Sequence, residues 1–489
     1  MKRIWNYRLF LFLALALCAG VVTGGFLYSS LLLVILIPIA SFAVGICLFF
    51  ITKKHTAWLL FLAFSVGIAL FVADNAITGP DLSGEQTLTM KVEQAREDSG
   101  RVVLSADDMR GYAVFYRKDS SFTEGDVVLV SGDFKKVEFD YTDSYKRYLY
   151  SQRISYTVDV SEINVIGTDL SVFDKIRLRT KRVMRRYMTE EDVAFCMSLV
   201  FGDKSALSEE TQSAMSAAGL SHVLAVSGLH VGFLTAAIVF LLKRLRVGRF
   251  PQWIITLGVL LLYGLFTGFP PGVKRSVITY VVYALAPLLR RKQDKLSTLS
   301  AAVFLIVLTD PRELFDVGFL MSAGAVLGIL SFYRPLYGVV ARKVKNKFVL
   351  YFYGIICVTL SANVFVLPVS LSVFSAFSVY AVIGNLIVLP IVTVAFPLVF
   401  FSSLLSAAFS GFGILFYVLK YPIIAIRLFA FAISTLPSAE IASVDMGIAC
   451  VTYVLFFVFI GRFSLLKIRY KVPVCGMLAA GTVLLLLFV

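Results

Sequence analysis

Runs of about twenty apolar residues recur along nearly the whole chain, and a helix of that length crosses the ~30 Å hydrocarbon core of a bilayer. Within hydrocarbon every backbone amide and carbonyl must find a partner in the protein, which leaves only helices or a closed barrel. Composition agrees: 58% of the 489 residues are hydrophobic and 16% charged, with a mean hydropathy of +0.85. A soluble enzyme is set aside on these grounds. Spans are expected near residues 9–26, 31–51, 57–77, 223–242, 253–266, 277–289, 299–308, 317–332, 348–367, 379–409, 414–436, 446–460 and 474–489. The first is read as a retained span, because further spans follow at once and no small-residue cleavage site stands out.

Residues 80–170 break this pattern. Short alternating runs at 88–92, 101–106, 113–117, 127–134, 154–160 and 163–166 are separated by turns such as Asp98-Ser99-Gly100 and Glu124-Gly125-Asp126. Period-2 alternation with hairpin punctuation predicts a small antiparallel domain outside the membrane. Five or six short strands suit a barrel of the OB type. The expected fold is a polytopic α-helical membrane protein with a small extracytoplasmic antiparallel β (OB-like) domain. Residues 1–78 hold three spans, 79–170 the β-domain, 171–220 basic amphipathic and interfacial helices, and 221–489 the main transmembrane domain.

The net charge of +15 is large for so few charged residues. Much of it marks cytoplasmic loops, as the positive-inside rule demands. Lys2, Arg3 and Arg8 favour a cytoplasmic start, and the basic loops at 243–246, 290–292, 342–347 and 467–471 then fall on that same side. Residues 171–188 do not. Here Lys175, Arg177, Arg179, Lys181, Arg182, Arg185 and Arg186 interleave with Val172, Phe173, Ile176, Val183, Met184 and Tyr187 at helical spacing, opposed only by Asp174. Such a basic amphipathic helix is either a segment lying on the membrane surface or an electrostatic guide for a polyanion. All six cysteines sit in apolar segments, with no CxxC and no Cys/His ligand spacing. Neither a disulfide framework nor a metal is expected, and no cofactor. A Gly-x-x-x-x-Gly-Lys-Ser/Thr phosphate loop is absent from the sequence.

Residues 221–233, SHVLAVSGLHVGF, hold two of the three histidines of the chain, His222 and His230. Titratable groups at membrane depth are costly and point to function. Ser227 and Gly228 between them weaken a continuous helix, so a broken helix lining a cavity is expected. Two buried structural imidazoles are the plain alternative. A nucleophile–base pair of Ser227 with His230 is a third. Lys274 and Arg275 follow Pro270-Pro271-Gly272, which opens a helix whose N-terminus attracts anions; a snorkelling pair is the alternative. Asn363 and Asn385 serve either as pore lining or as interhelical glue. In the β-domain Tyr112, Phe115, Tyr116, Phe134, Tyr141, Tyr145 and Tyr148 lie among Lys118, Lys135, Lys136, Lys146 and Arg147. That mixture fits base stacking over a basic groove and a structural cap equally well.

The segment HVLAVSGLHVG closely resembles the hallmark of the ComEC-type competence proteins. Further matches follow in the family's order. Phe139-Asp140-Tyr141 with Tyr148-Leu149 and Gln152-Arg153-Ile154 resembles the end of its extracytoplasmic domain, and Gly202-Asp203 with Leu207-Ser208 the turn before the hallmark. Residues 271–276 resemble its Pro-Ser-Val-x-Arg-Ala segment, 316–322 its Gly-Phe-Gln-Leu-Ser segment, and Asn385-Leu386 with Leu389-Pro390 a later Asn…Pro pair. Gly272, Ser276 and Leu320-Met321 depart from the usual residues. The resemblance covers essentially the whole chain.

It implies a multi-pass protein of the bacterial cytoplasmic membrane, a channel passing single-stranded DNA inward during transformation, and no enzyme. Channel lining would fall to His222, Ser227, Gly228, His230 and Asn385. Phosphate contact would fall to Lys274, Arg275, Arg179, Arg182, Arg185 and Arg186. Implied partners are single-stranded DNA, membrane lipid, and separate receptor, nuclease and cytoplasmic motor proteins; homo-oligomerisation stays open. Many members carry an appended metallo-β-lactamase-like domain, and with three histidines this sequence is expected to leave nuclease chemistry to another protein. A transporter of a small anionic solute is the alternative from another class. The topology predicts that cysteines placed at Ser99 and Asn346 react with a membrane-impermeant reagent from opposite faces, Ser99 from outside; labelling of both from one side overturns it.

Overall fold

In the computed structural model, residues 9–436 are described apart from 29, 53–54, 77–81, 97–99, 107–108, 110, 118–121, 124, 141–142, 289–293 and 375–377. The expected spans at 446–460 and 474–489, the N-terminal cations, Lys118, Tyr141 and the basic clusters at 290–292 and 467–471 lie outside the described residues.

Three apolar helices open the chain: α1 (Leu9–Leu27), α2 (Leu31–Thr52) and α3 (His55–Ala76). α1 and α3 touch backbone to backbone, for a Cβ on Gly20 would lie 2.1 Å from the Phe64 carbonyl oxygen. Small residues permit such approach where lipid supplies no hydrophobic drive between helices.

Strands β1 (Gly84–Arg96), β2 (Arg101–Ser105), β3 (Tyr112–Tyr116), β4 (Asp126–Lys136) and β5 (Ile154–Thr168) close into a barrel in the order β1-β2-β3-β5-β4. Two expectations change here. The runs at 154–160 and 163–166 are one strand, because register shifts in the β4 pairing carry β5 past the irregularity. Nor is the sheet wholly antiparallel, since β3 and β5 run parallel. A parallel pair needs a crossover, and the segment 137–153, containing helix α4 (Ser144–Ser151), supplies it. Alternate strand residues, including Met90, Leu104, Phe115, Val128, Val130 and Phe134, fill the interior.

The second half of the chain is helical: α5 (Val172–Met184), α6 (Glu190–Phe201), α7 (Glu209–Ala217), α8 (Ser221–Leu224), α9 (Gly228–Arg244), α10 (Arg249–Thr267), α11 (Pro271–Leu288), α12 (Lys295–Thr309), α13 (Val317–Ala341), α14 (Lys347–Phe374), α15 (Ala381–Ala408) and α16 (Ile414–Ser434). Among the described residues seven helices are long and apolar enough to cross a membrane. α9 and α12 are shorter. α6 is buried from Asp192 to Phe201, so this segment, too short to cross, is packed core. The apolar face of α5 joins the same core through Val183 and Met184. Its Thr180 hydroxyl donates to the Ser403 carbonyl of α15 at 3.2 Å, and the Phe173 ring meets Phe266 of α10 edge-on at 5.0 Å.

The barrel is seated on the bundle through α4. Tyr150 packs, tilted or edge-on, among Phe71 of α3, Phe139 and Phe315 at centroid distances of 5.7, 4.8 and 5.8 Å. Its hydroxyl donates to Asp74 at 2.8 Å and accepts from Asn75 at 3.2 Å. Arg312, in the 3-10 turn joining α12 to α13, also donates to Asp74, at 2.6 Å, and lies over the Tyr150 ring. Gln152 reaches Asp316 and Arg153 pairs with Asp310. The ends of α3, α12 and α13 are thereby brought to one level with the barrel. Burial and then the Asp74 carboxylate push the Tyr150 phenol up, so it stays protonated and able to donate. Tyr150→Phe, which keeps the ring, is expected to lower stability by about 1.5 kcal/mol through lost hydrogen bonding to a charged group. Asp74→Ala strands the Arg312 cation and is expected to cost about 3 kcal/mol. Thermal unfolding in detergent, with barrel and bundle followed separately, checks both values and their order.

Candidate functional site

Gly219, in the left-handed region at φ +70°, ends the segment after α7, and the single turn α8 follows. The chain then extends at Ala225 and Ser227 before α9 begins at Gly228. Ser227 caps α9, its hydroxyl accepting from the Leu229 amide at 3.3 Å. His230 closes the box from the other side. Its Nδ1 accepts the Ser227 backbone amide at 3.2 Å, and the Ser227 hydroxyl lies at the same distance. The break expected at Ser227-Gly228 is therefore present, with histidine in the place glutamate or glutamine takes in a common capping box.

This pairing assigns the ring. With Nδ1 an acceptor, the proton of neutral His230 sits on Nε2. His230 is fully buried, and its Nε2 makes no hydrogen bond of good geometry among the described residues. The ring packs edge-on to Phe396 of α15 at 4.8 Å. A buried donor without a well-formed hydrogen bond costs about 1–3 kcal/mol, so structural need alone does not account for the imidazole. His222 sits in α8, half-buried on the other side of the break.

Other elements enclose the break. α11 approaches so closely that a Cβ on Gly228 would lie 2.6 Å from the Ser276 hydroxyl oxygen, and one on Gly272 would lie 3.2 Å from Ser227 Cα. From α6, the Ser198 hydroxyl donates to the Leu224 carbonyl at 3.2 Å. From α15, Gly384 lies against the Ala218 carbonyl and Leu220. Adjacent Asn385 donates from Nδ2 to the Thr359 hydroxyl of α14 at 3.3 Å, while its Oδ1 is buried without a partner. Of the residues singled out from the sequence, His222, Ser227, Gly228 and His230 thus share one locus, with Asn385 on a neighbouring wall.

The cations lie elsewhere. Lys274 pairs with Glu313 at 2.9 Å, with Asp310 at 3.8 Å. Arg275, 4% exposed, stands over the Phe319 ring at 5.5 Å with Nη1 buried and unpartnered. Both belong to the charged seam beneath the barrel. On α5 and just beyond it, Arg185 pairs with Glu190 at 3.0 Å, whereas Arg179, Arg182 and Arg186 are exposed and have no acidic partner among the described residues. The barrel sorts its aromatics: Phe115 and Phe134 are core, while Tyr116, Tyr145 and Tyr148 are exposed. The Tyr116 and Tyr145 hydroxyls lie 3.2 Å apart, and Arg101 stands over Tyr148 at 5.6 Å. Burial, then Tyr116, push the Tyr145 phenol up to about 12. Sequence reasoning missed Phe396, Ser276 as the neighbour of Gly228, and the acids Asp310 and Glu313. Only the run Asp310-Pro311-Arg312-Glu313, charged between apolar stretches, hinted at the seam.

A multi-pass helical membrane protein with a polar, capped helix break and an appended barrel is the class these features define. Its relationships are specific. The chain belongs to the competence protein family, whose model matches residues 199–468 and so includes the break. It is similar to ComE operon protein 3 of Bacillus subtilis, 27% identical over 277 residues, covering 56% of this chain and 34% of that protein. Recombination protein 2 of Haemophilus influenzae is 24% identical over 267 residues, 51% of this chain and 34% of the relative. Competence protein ComA of Neisseria gonorrhoeae is 29% identical over 148 residues, 29% and 21% respectively. The matched part is about a third of the first two relatives' own length. No solved structure matches.

The close approach at the break makes a reciprocal prediction. Gly228→Ala is expected to impair function and stability by driving Cβ into the Ser276 hydroxyl, at a cost of about 1–3 kcal/mol for overpacking. Ser276→Ala should rescue it, because the Ser276 Cβ lies 4.0 Å away. A double-mutant cycle read by thermal stability checks the coupling; strict additivity would place the clash elsewhere.

Proposed function

We propose that this protein is a channel that passes single-stranded DNA across the bacterial cytoplasmic membrane during natural transformation. The observation that carries the reading is the half-buried helix break at Ser227, within the family-matching region. There the chain holds two imidazoles, one whose donor makes no well-formed hydrogen bond, at a place where apolar side chains would be cheaper. Competence relatives support DNA uptake as the process. The closed five-stranded order with its parallel β3/β5 pair supports an OB-like barrel. The exposed rings of Tyr116, Tyr145 and Tyr148 would offer bases a face to stack on. Arg179, Arg182 and Arg186 would contact phosphate from α5. Separate receptor, nuclease and motor proteins would complete the machine, and the channel would itself do no chemistry.

One observation keeps a second reading in view. The Ser227 hydroxyl stands 3.2 Å from His230 Nδ1, within reach of a nucleophile–base pair. The two are separated by uptake of a labelled duplex into intact cells. Deletion of the gene is expected to abolish internalised label. His222→Ala and His230→Ala should each lower transformation by at least tenfold at normal membrane levels, while Ser227→Gly, which retains much of the capping preference, should keep most of it. A loss in Ser227→Gly as deep as that in His230→Ala, with His222→Ala unaffected, supports hydrolysis, and normal transformation in both histidine variants removes the channel assignment.

A further inference from the structure

Between Asp316 and Glu440 the sequence contains no aspartate or glutamate. Within that stretch lie Arg334, Arg342, Lys343, Lys345 and Lys347, all exposed and all without an acidic partner among the described residues. They gather where α13 turns into α14. Beside this turn the two helices and α15 enclose a groove of about 470 Å³, lined by Tyr333, Tyr337, Lys347, Tyr351, Gly354 and Leu389, among others. Tyr333 stacks on Tyr337 at 5.3 Å and Tyr337 on Tyr353 at 6.2 Å, while the Tyr353 hydroxyl is tied to the Leu336 carbonyl at 2.9 Å. Gly354 leaves the floor open, for a Cβ there would meet nothing nearer than the Tyr333 hydroxyl at 3.6 Å.

Each feature has a physical direction. Tyrosines mark the headgroup level of a bilayer, where a ring with one polar end is at home. Lys347 stands at the N-terminus of α14, adding a mobile cation to the positive end of a long helix dipole. Beyond it the groove walls are apolar. A ligand that satisfies all of this has an anionic head and a hydrocarbon tail. Basic pockets between membrane helices hold such lipids. Orientation by positive charge accounts for a basic hairpin, but not for a groove with a cation at its mouth and a glycine in its floor.

We propose that this groove binds one anionic phospholipid, its phosphate at Lys347 and the α14 N-terminus and an acyl chain laid over Gly354. The inference is independent of what the channel carries, so its failure leaves the uptake reading intact, and the reverse holds.

The test uses the full-length protein in detergent, analysed by native mass spectrometry with added phosphatidylglycerol or phosphatidylcholine of identical chains. Wild type is expected to retain phosphatidylglycerol preferentially, less so at high salt. Lys347→Gln should weaken that retention about fivefold, as one cation near an anionic headgroup is worth, and leave phosphatidylcholine unchanged; Lys347→Arg should restore it. Gly354→Leu, which fills the floor, should reduce retention of both lipids. Equal retention of the two lipids by wild type, or an unchanged preference in Lys347→Gln, overturns the proposal. So does a Lys347→Gln variant that loses affinity for a single-stranded oligonucleotide while keeping its lipid preference; the hairpin would then be a nucleic-acid surface.

Discussion

The contact between Tyr150 and the Asp74–Arg312 pair is the joint on which the rest of the molecule depends. A barrel tethered by single chain segments to a helical bundle would otherwise swing freely. Here an aromatic ring is buried among Phe71, Phe139 and Phe315 while its hydroxyl is spent on a carboxylate that a guanidinium also needs. Apolar packing supplies the affinity and the shared carboxylate fixes the angle. Polar groups so well satisfied are costly to separate. The barrel and the ends of α3, α12 and α13 are therefore held together at one joint.

Charge is distributed unevenly along the molecule, and the unevenness explains much of what the cations do. At that joint Arg153, Lys274 and Arg312 meet Asp310, Glu313 and Asp74, so their charge is neutralised inside the protein. At the α13–α14 hairpin no acid is available within the surrounding sequence, so the field there projects outward. The same residue types thus act as joints at one end and as an electrostatic surface at the other. α5 and the turn after it stand between these cases, with Arg177 and Arg185 paired and Arg179, Arg182 and Arg186 unpaired among the described residues.

The break at Ser227 shows how irregular backbone survives inside apolar surroundings. Ser227 and His230 satisfy one another's exposed backbone groups, and glycines at 228 and 272 let α11 seal the gap. Three residue types, each at a position where only a few choices work, make a polar site from what would otherwise be an unfilled helix end.

Much of this was legible beforehand. Long apolar runs announce helices because hydrocarbon permits nothing else, alternating runs announce strands, and Ser227-Gly228 announces a helix break through weak propensity. These are local or solvent-imposed constraints, and a sequence carries them directly. Which cations remain available was not legible, because Lys274 and Glu313 are far apart along the chain and meet only when the 3-10 turn docks beside α11. Nor was the parallel β3/β5 pairing, which depends on how residues 137–153 carry the chain across the barrel. Alternation along a strand specifies faces and says nothing about neighbours. The sequence by itself thus determined the solvent of each segment and the place where a helix must break. The tertiary structure alone decided which charges cancel, which imidazole nitrogen is left without a well-formed hydrogen bond, and where a groove stays open, because those are properties of groups brought together from distant parts of the chain.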